Sequence, residues 1–273
     1  MPEGPEIRRA ADNLNRAIAG NIVCDLFFAF DHLKPYEAEL VGCTVTAVTP
    51  YGKAIVTSFD NGLGVYSHNQ LYGKWVVCKP NGALPTGRQL RFAVHTPRRW
   101  ALLYSASEIE VLTAEAVPTH PYIVKLGPDT LDATVTPDQV AARALSQPFH
   151  RRQFATLLLD QGFLGGIGNY LRSEILYVAG IHPAQRPVDC TADQIAAFAE
   201  AALALPQQSY RHGGITNDLA LAAHLKATGY RRREYRHWVF SRAGQPCHRC
   251  GAAIAKIVIG GRRCYICPGC QPR

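Results

Sequence analysis

The chain has no run of about 18 unbroken apolar residues, so no segment is expected to cross a membrane. Its first 25 residues carry Glu3, Glu6, Asp12 and Asp25. They lack the basic-then-apolar layout of a secretory leader, and a cytoplasmic location is expected. Internal repeats and low-complexity tracts are missing, which excludes solenoids and extended disordered tails. Acidic residues are nearly absent from one end. Residues 201–273 hold 12 Lys/Arg and 2 Asp/Glu, whereas residues 1–200 hold 17 and 19, within a formal net charge of +8. A basic end on a near-neutral body suggests a polyanionic partner, although charge alone also fits a merely soluble surface.

Among what is present, 273 residues with 47% hydrophobic content suffice for a sizeable core. That length suggests two domains, or one with appendages. Nine cysteines are an odd number in a chain this long, and without a leader they read as thiols or metal ligands rather than a disulfide framework. Cys24, Cys43, Cys78 and Cys190 lie among apolar neighbours and are expected to be buried and inert.

Residues 5–19 predict a helix. Pro5 suits the first position, Ile7, Ala10, Ala11, Leu14, Ala17 and Ile18 recur at helical spacing, and Gly20 suits the end. From 22 to 112 the period changes to two. Segments 44–49, 54–59, 74–78, 90–96 and 100–105 read as short strands of a β-sandwich. Helices return after about 130, with capping boxes at Thr136–Gln139 and Thr191–Gln194. Between them, 153–160 and 169–178 predict two helices joined by a glycine-rich turn, with Asn169 as the N-cap of the second. Residues 207–236 are polar and irregular, and are expected to form a mobile loop. The fold class is therefore α+β and multidomain, with expected domains at 1–125, 126–236 and 237–273.

The sharpest motif is Cys247-x2-Cys250 followed, sixteen residues later, by Cys267-x2-Cys270. Two thiolates from each tight turn make a four-sulfur cage for one zinc ion, with segments 255–259 and 264–266 forming a β-hairpin between them. Four protein ligands leave no open position, so this zinc is expected to fold the tail rather than take part in chemistry. Cys264 fits neither pair. Arg262 and Arg263 fall at the hairpin tip, where a cation could reach a phosphate or simply sit in solvent.

The opening Met1-Pro2-Glu3-Gly4-Pro5-Glu6 resembles the N-terminus of the formamidopyrimidine-DNA glycosylase/endonuclease VIII family. Gly52-Lys53, His68-Asn69-Gln70-Leu71-Tyr72-Gly73, Gly166 through Arg172 and the terminal cysteines follow in the family's order, so the resemblance spans nearly the whole chain. Within it, Ile7–Leu14 and Gln70-Leu71-Tyr72 look like endonuclease VIII. The resemblance implies an N-terminal β-sandwich, a helix–two-turn–helix domain and a zinc finger, with double-stranded DNA held in a cleft between lobes. It also implies a monomeric, bacterial base-excision-repair enzyme that works at the nucleoid. Such an enzyme removes oxidised pyrimidines and then cuts the strand by β,δ-elimination.

The residues suit that chemistry. Removal of Met1 would expose the secondary amine of Pro2. An α-amino group has a reference pKa of about 8, against about 10.4 for lysine, so more of it is an uncharged nucleophile at neutral pH. The positive end of the first helix would further disfavour its protonation. By resemblance Glu3 is the general acid/base, and Glu6 matches the pattern too, although a first-turn glutamate also suits the helix dipole. Lys53, by resemblance, binds phosphate beside the reaction centre. Gln70, Leu71 and Tyr72 would fill the space vacated by an everted base. Asn169, Arg172 and Arg262 would hold the backbone without reading bases.

The match has departures. Gly213 through Asn217 and the residues after it look more like the purine-directed branch, and Arg263 and Cys264 stand where relatives commonly carry small, proline or aromatic residues. An oxidised-purine enzyme and a non-catalytic lesion-binding protein therefore stand as alternatives.

Overall fold

The computed structural model describes residues 2–82 and 87–273, so Met1 lies outside the described residues. By contact the chain divides into two compact units, residues 1–125 and 126–273. No helix among the described residues is long and apolar enough to cross a membrane.

The first unit opens with helix α1 (Gly4–Ile18), followed by β1 (Asp25–Phe28), α2 (Pro35–Leu40) and seven further strands. These are β2 (Val45–Tyr51), β3 (Ala54–Phe59), β4 (Leu63–His68), β5 (Lys74–Cys78), β6 (Leu90–His95), β7 (Trp100–Tyr104) and β8 (Glu108–Thr113); the short α3 (Pro121–Val124) closes the unit. The strands form two four-stranded sheets, ordered β1-β6-β7-β5 and β2-β3-β4-β8, with every pairing antiparallel. Ile7, Ala11, Leu14 and Ile18, one stripe of α1, enter the same core as Phe28 and Phe92 of one sheet and Val45, Ile55 and Val65 of the other. Burying each such side chain contributes about 1.5–3 kcal/mol, and this burial holds α1 in place with its first turn at the edge of the sandwich. The β-sandwich and its leading helix agree with the periodicity. Strands β1, β4 and β8 were not legible because they are short and flanked by glycine or charged residues.

In the second unit the helices are α4 (Pro137–Leu145), α5 (Phe154–Leu157), α6 (Asn169–Val178), α7 (Ala192–Arg211), α8 (Leu219–Ala227) and α9 (Arg232–Tyr235), followed by the hairpin β9 (Ala255–Ile259) and β10 (Arg262–Ile266). Both predicted capping boxes form, at Thr136 and Thr191. Three expectations need correction. The helix expected over 153–160 is a single turn, because the Asp160 carboxylate accepts the Gly162 N–H at 2.9 Å and pairs with Arg152 at 2.7 Å, which diverts the chain into the glycine turns. Asn169 is not the N-cap of α6. Gly168 is, and the Asn169 side chain instead accepts from Arg172 at 2.8 Å.

The expected loop at 207–236 is largely helical: α7 continues to Arg211, Asp218 caps α8 by accepting from Leu221 N–H at 2.8 Å, and α9 follows. The stretch read as irregular because Gly213, Gly214 and Gly229 punctuate it, each at positive φ where helices stop.

The scattered cysteines also depart from expectation. Cys24 is exposed, and Cys43, Cys78 and Cys190 are only half-buried. Cys24 sits at the sheet edge ahead of β1, its thiol donating to the His95 carbonyl at 3.2 Å. Burial pushes the other three thiols up, Cys190 to about 11, which keeps them protonated.

Candidate active site and zinc centre

Glu3 is the N-cap of α1 and pairs with Glu6 in a capping box, its N–H donating to Glu6 Oε2 at 3.1 Å. Glu6 thus has a local structural role at this helix start, and Arg9 donates to its other oxygen at 3.2 Å. Glu3 is only 2% exposed, while Pro2, beside it, lines an open cavity of about 300 Å³ with Leu71, Tyr72, Asn69, Trp75 and Arg88. The helix end that Glu3 caps therefore sets Pro2 beside the β4–β5 turn.

That turn is tied back by hydrogen bonds. Gly73 N–H donates to the Asn69 carbonyl at 2.7 Å, and Gln70 adopts φ 45°. The Gln70 side chain donates to Glu108 at 2.8 Å and accepts from Ser107 at 2.5 Å. Leu71 and Tyr72 project outward, 55% and 68% exposed. Of the three expected wedge residues, the structure presents two and ties the third back. A Cβ on Gly73 would lie 2.5 Å from the Asn69 carbonyl oxygen. Gly73→Ala is accordingly expected to reshape the turn, cutting lesion excision at least about tenfold while the melting temperature of the rest changes little; parental single-turnover rates would contradict this.

Lys53 follows Gly52, at φ 56°, in the β2–β3 turn and is buried at 7% exposure, not a solvated lysine. Its N–H donates to the Tyr122 hydroxyl at 3.0 Å, and the Tyr122 ring meets His68 edge-on at 5.3 Å. Burial and the Lys53 charge hold His68 below the ordinary histidine range, against the opposing pull of Glu108.

In the second unit Arg172 is completely buried and is not a surface cation available to a phosphate, which corrects the expectation for this residue. One guanidinium donates to the Ala155 carbonyl at 2.7 Å, to Asn169 Oδ1 at 2.8 Å and to the Arg263 carbonyl at 2.7 Å. It therefore fastens the start of α6 to strand β10, and Tyr265 N–H donates to Ser173 Oγ at 3.2 Å beside it. This accounts for the two finger residues that fitted no pattern: Arg263 supplies an acceptor, and Cys264 is buried with its sulfur 3.6 Å from Ser173 Oγ, outside the cage. Arg262 remains exposed, paired with Ile259 next to the Gly260-Gly261 tip.

One cluster was not legible in the sequence. Glu174 is fully buried, and it accepts from Thr216 Oγ1 at 2.6 Å and from the N–H groups of Trp238, Val239 and Phe240 at 2.7, 2.9 and 2.9 Å. Burial raises its carboxyl, against the lowering effect of these donors. Since Thr216 gives its proton to Glu174, its oxygen accepts from His237 Nδ1 at 2.7 Å. Burial, with Arg236 and Arg232 nearby, keeps His237 well below the usual histidine value and hence neutral. A glutamate amid apolar helix residues gives no sign of partners 42 to 66 positions away.

The sulfurs of Cys247, Cys250, Cys267 and Cys270 all lie within 4.8 Å of one another. Separations of 3.9 Å (Cys247–Cys270) and 3.3 Å (Cys250–Cys267) bracket the roughly 3.8 Å expected for sulfurs placed about 2.3 Å from a tetrahedral zinc. Burial opposes ionisation of Cys247, but the Tyr177 hydroxyl at 3.1 Å and nearby backbone N–H groups outweigh it and bring the thiol down to about 6. Burial and the neighbouring thiols push Cys270 up to about 12. A dication resolves that conflict by holding all four as thiolates, and the residues fit one structural zinc.

Three family models match in order: the formamidopyrimidine-DNA glycosylase N-terminal domain over residues 1–106, its H2TH domain over 126–219, and the zinc finger found in FPG and IleRS over 244–273. The chain is 48% identical over 271 residues to Endonuclease 8 of Escherichia coli K12, covering 99% of this chain and all of the relative. The chain belongs to the formamidopyrimidine-DNA glycosylase/endonuclease VIII family. Endonuclease 8 of Salmonella enteritidis PT4 is similarly 48% identical with the same coverage. A solved complex of Lactococcus lactis Fpg (MutM) with DNA containing N7-benzyl-Fapy-dG superposes over 100% of both chains with a TM-score of 0.83 at 21% identity, and so shares the fold. Family membership makes the chain a bifunctional DNA glycosylase and abasic-site lyase of base excision repair.

Proposed function

We propose that this enzyme excises oxidised pyrimidines from double-stranded DNA through an iminium formed on Pro2, and then releases the nick by β,δ-elimination. The observation that carries this reading is the placement of Pro2 at the start of α1, lining one cavity with the exposed Leu71 and Tyr72. A base drawn out of the stack leaves a gap, and these two side chains are of a size to fill it. The nearby amine then attacks C1′. Glu3, adjacent and buried, is the group to protonate the sugar oxygen and later take up the C2′ proton, which the iminium acidifies. Glu6 and Gln70 support the arrangement from behind. Lys53 supplies positive charge to the phosphate beside the reacting sugar. The enzyme works as a monomer on chromosomal DNA in the cytoplasm.

Within the second unit, Asn169 at the start of α6 and Arg262 on the hairpin grip the backbone, with Arg172 as the positioning residue that links their elements. The two arginines should separate cleanly. Arg262→Ala is expected to weaken DNA binding across sequences and lower the salt slope by about one, with the melting temperature unchanged. Arg172→Ala leaves buried carbonyls unpaired and should lower stability by about 3–5 kcal/mol. An unchanged salt slope for Arg262→Ala would remove it from the phosphate contacts.

The purine-directed alternative rested on Gly213 through Asn217 and the residues after it. Thr216 and Asn217 are fully buried, committed to Glu174, His237 and the Tyr235 carbonyl, which argues against their reading a base. Borohydride trapping across duplexes with thymine glycol, 8-oxoguanine and abasic sites tests the reading. Preference for thymine glycol with the adduct at Pro2 is expected. Preference for 8-oxoguanine would overturn the substrate class, and binding with no adduct on any lesion would overturn the chemistry.

A further inference from the structure

Two residues lining the cavity beside Pro2 carry polar groups that the preceding mechanism does not use. Asn69 is 5% exposed, and its side-chain oxygen Oδ1 is buried with no hydrogen-bond partner among the described residues. Trp75 lines the same cavity, and its indole N–H is likewise buried and without a partner among the described residues. One is an acceptor, the other a donor. Leaving either unsatisfied costs about as much as a lost hydrogen bond, so a group that pairs with them is favoured there.

Both residues have anchored surroundings. The Asn69 main chain is held by the Gly73 N–H on its backbone carbonyl, and the following residue is braced by Glu108 and Ser107. The Trp75 ring is set edge-on to Phe92, with centroids 5.9 Å apart. A single group able to donate to Asn69 and accept from Trp75 would satisfy both, and a hydroxyl is the simplest such group.

The reaction produces one beside Pro2. The proline nitrogen bonds to C1′ and gives up its N–H proton, and the bond from C1′ to the base breaks, its electron pair leaving with the base, which takes up that proton. The nitrogen lone pair then forms the C1′=N⁺ double bond as the C1′–O4′ bond breaks, and O4′ receives the proton from Glu3. The sugar ring oxygen, an acceptor only, has become an O–H donor with no solvent guaranteed to receive it.

We infer that Asn69 is a further residue of the reaction centre, its carboxamide oxygen accepting the O4′ hydroxyl as the deoxyribose ring opens, with Trp75 donating to the same oxygen. This rests on Pro2 being the nucleophile. Asn69 favours the opened sugar over the closed one, so its contribution lies in forming the iminium, not in binding DNA.

The test uses the full zinc-loaded enzyme and abasic-site duplex, trapping the iminium with borohydride in single turnover. Asn69→Leu, close in shape but without an acceptor, is expected to slow trapping about 10- to 100-fold. Its affinity for duplex carrying a tetrahydrofuran analogue, which cannot form an iminium, should stay within about threefold. Asn69→Asp keeps an acceptor and should recover most of the rate; Trp75→Phe keeps the ring and should show a smaller loss. Asn69→Ala gives the same reading if the leucine variant folds poorly. Parental trapping in Asn69→Leu and Asn69→Ala would overturn the assignment, as would an Asn69→Asp rate no better than that of Asn69→Leu. Mapping the parental adduct keeps the two readings apart. An adduct on Pro2 alongside unaffected Asn69 variants sinks this inference alone, whereas no adduct on Pro2 removes both.

Discussion

A form of the enzyme that retains a residue ahead of Pro2, Met1 or one put in its place, will still bind duplex containing a tetrahydrofuran site, but will give no borohydride adduct, and its strand cleavage at abasic sites will fall at least about 10³-fold. Extension turns the secondary amine into a tertiary amide, which has no nucleophilic lone pair, so the covalent route is lost rather than slowed. Binding is expected to survive because the groups proposed to hold DNA lie elsewhere: the exposed turn at Leu71 and Tyr72, the buried cation of Lys53, and the hairpin arginine of the second unit. The glutamate beside the extension keeps its place, since Glu3 is held by its capping box with Glu6. The measurement is a gel of trapped product with peptide mapping of the parental adduct. Undiminished cleavage by the extended chain would assign the chemistry to another amine.

Removing zinc should have the second large effect. Structural zinc contributes about 10–16 kcal/mol of apparent binding energy in small finger domains, and the finger core is small: Tyr177, Val239, Cys247, Ile254 and Cys267. Without the ion four crowded thiols must reprotonate or separate, and so small a core is not expected to hold β9 and β10 together. The damage should reach past the finger. When β10 leaves, Arg172 loses the Arg263 carbonyl, and the same guanidinium holds Asn169 at the start of α6.

We therefore expect chelation, or Cys247→Ser, to weaken DNA binding at least about 100-fold. Trp238, stacked near Tyr177 and Arg249, should change its fluorescence. The β-sandwich has its own core in residues 1–125 and should keep its strand signature by circular dichroism. Unchanged DNA affinity in metal-free enzyme would contradict this linkage.

These two expectations differ in how far the sequence alone could support them. The metal site was legible because each Cys-x2-Cys pair closes within one turn, so ligand geometry is a property of spacing. The capping boxes at Thr136 and Thr191 were legible for the same reason, their hydrogen bonds spanning three residues. The stripe on α1 followed from periodicity, because one buried face imposes its period on the sequence, and the strands 54–59 and 74–78 followed from their β-branched and aromatic residues.

The roles of individual polar residues followed different rules. An arginine one turn into α6 resembles any surface cation until the chain brings the Arg263 carbonyl to it across 91 positions. Glu174 in α6 and Thr216 in an apparent loop meet only because residues 238–240 fold back over the helix. Gln70, Leu71 and Tyr72 read as one amphipathic triplet, yet Glu108 and Ser107 on a neighbouring strand restrain the first and leave the other two exposed.

Sequence by itself determined the class of protein, its zinc ligands and its helical and strand periods, since these depend on residue type and on bonds that close within a few positions. Tertiary structure decided which charged and polar side chains are buried, which carbonyls they serve, and which unpaired groups surround Pro2. Desolvation of a polar group is set by the summed packing of distant segments, and no local pattern encodes that sum.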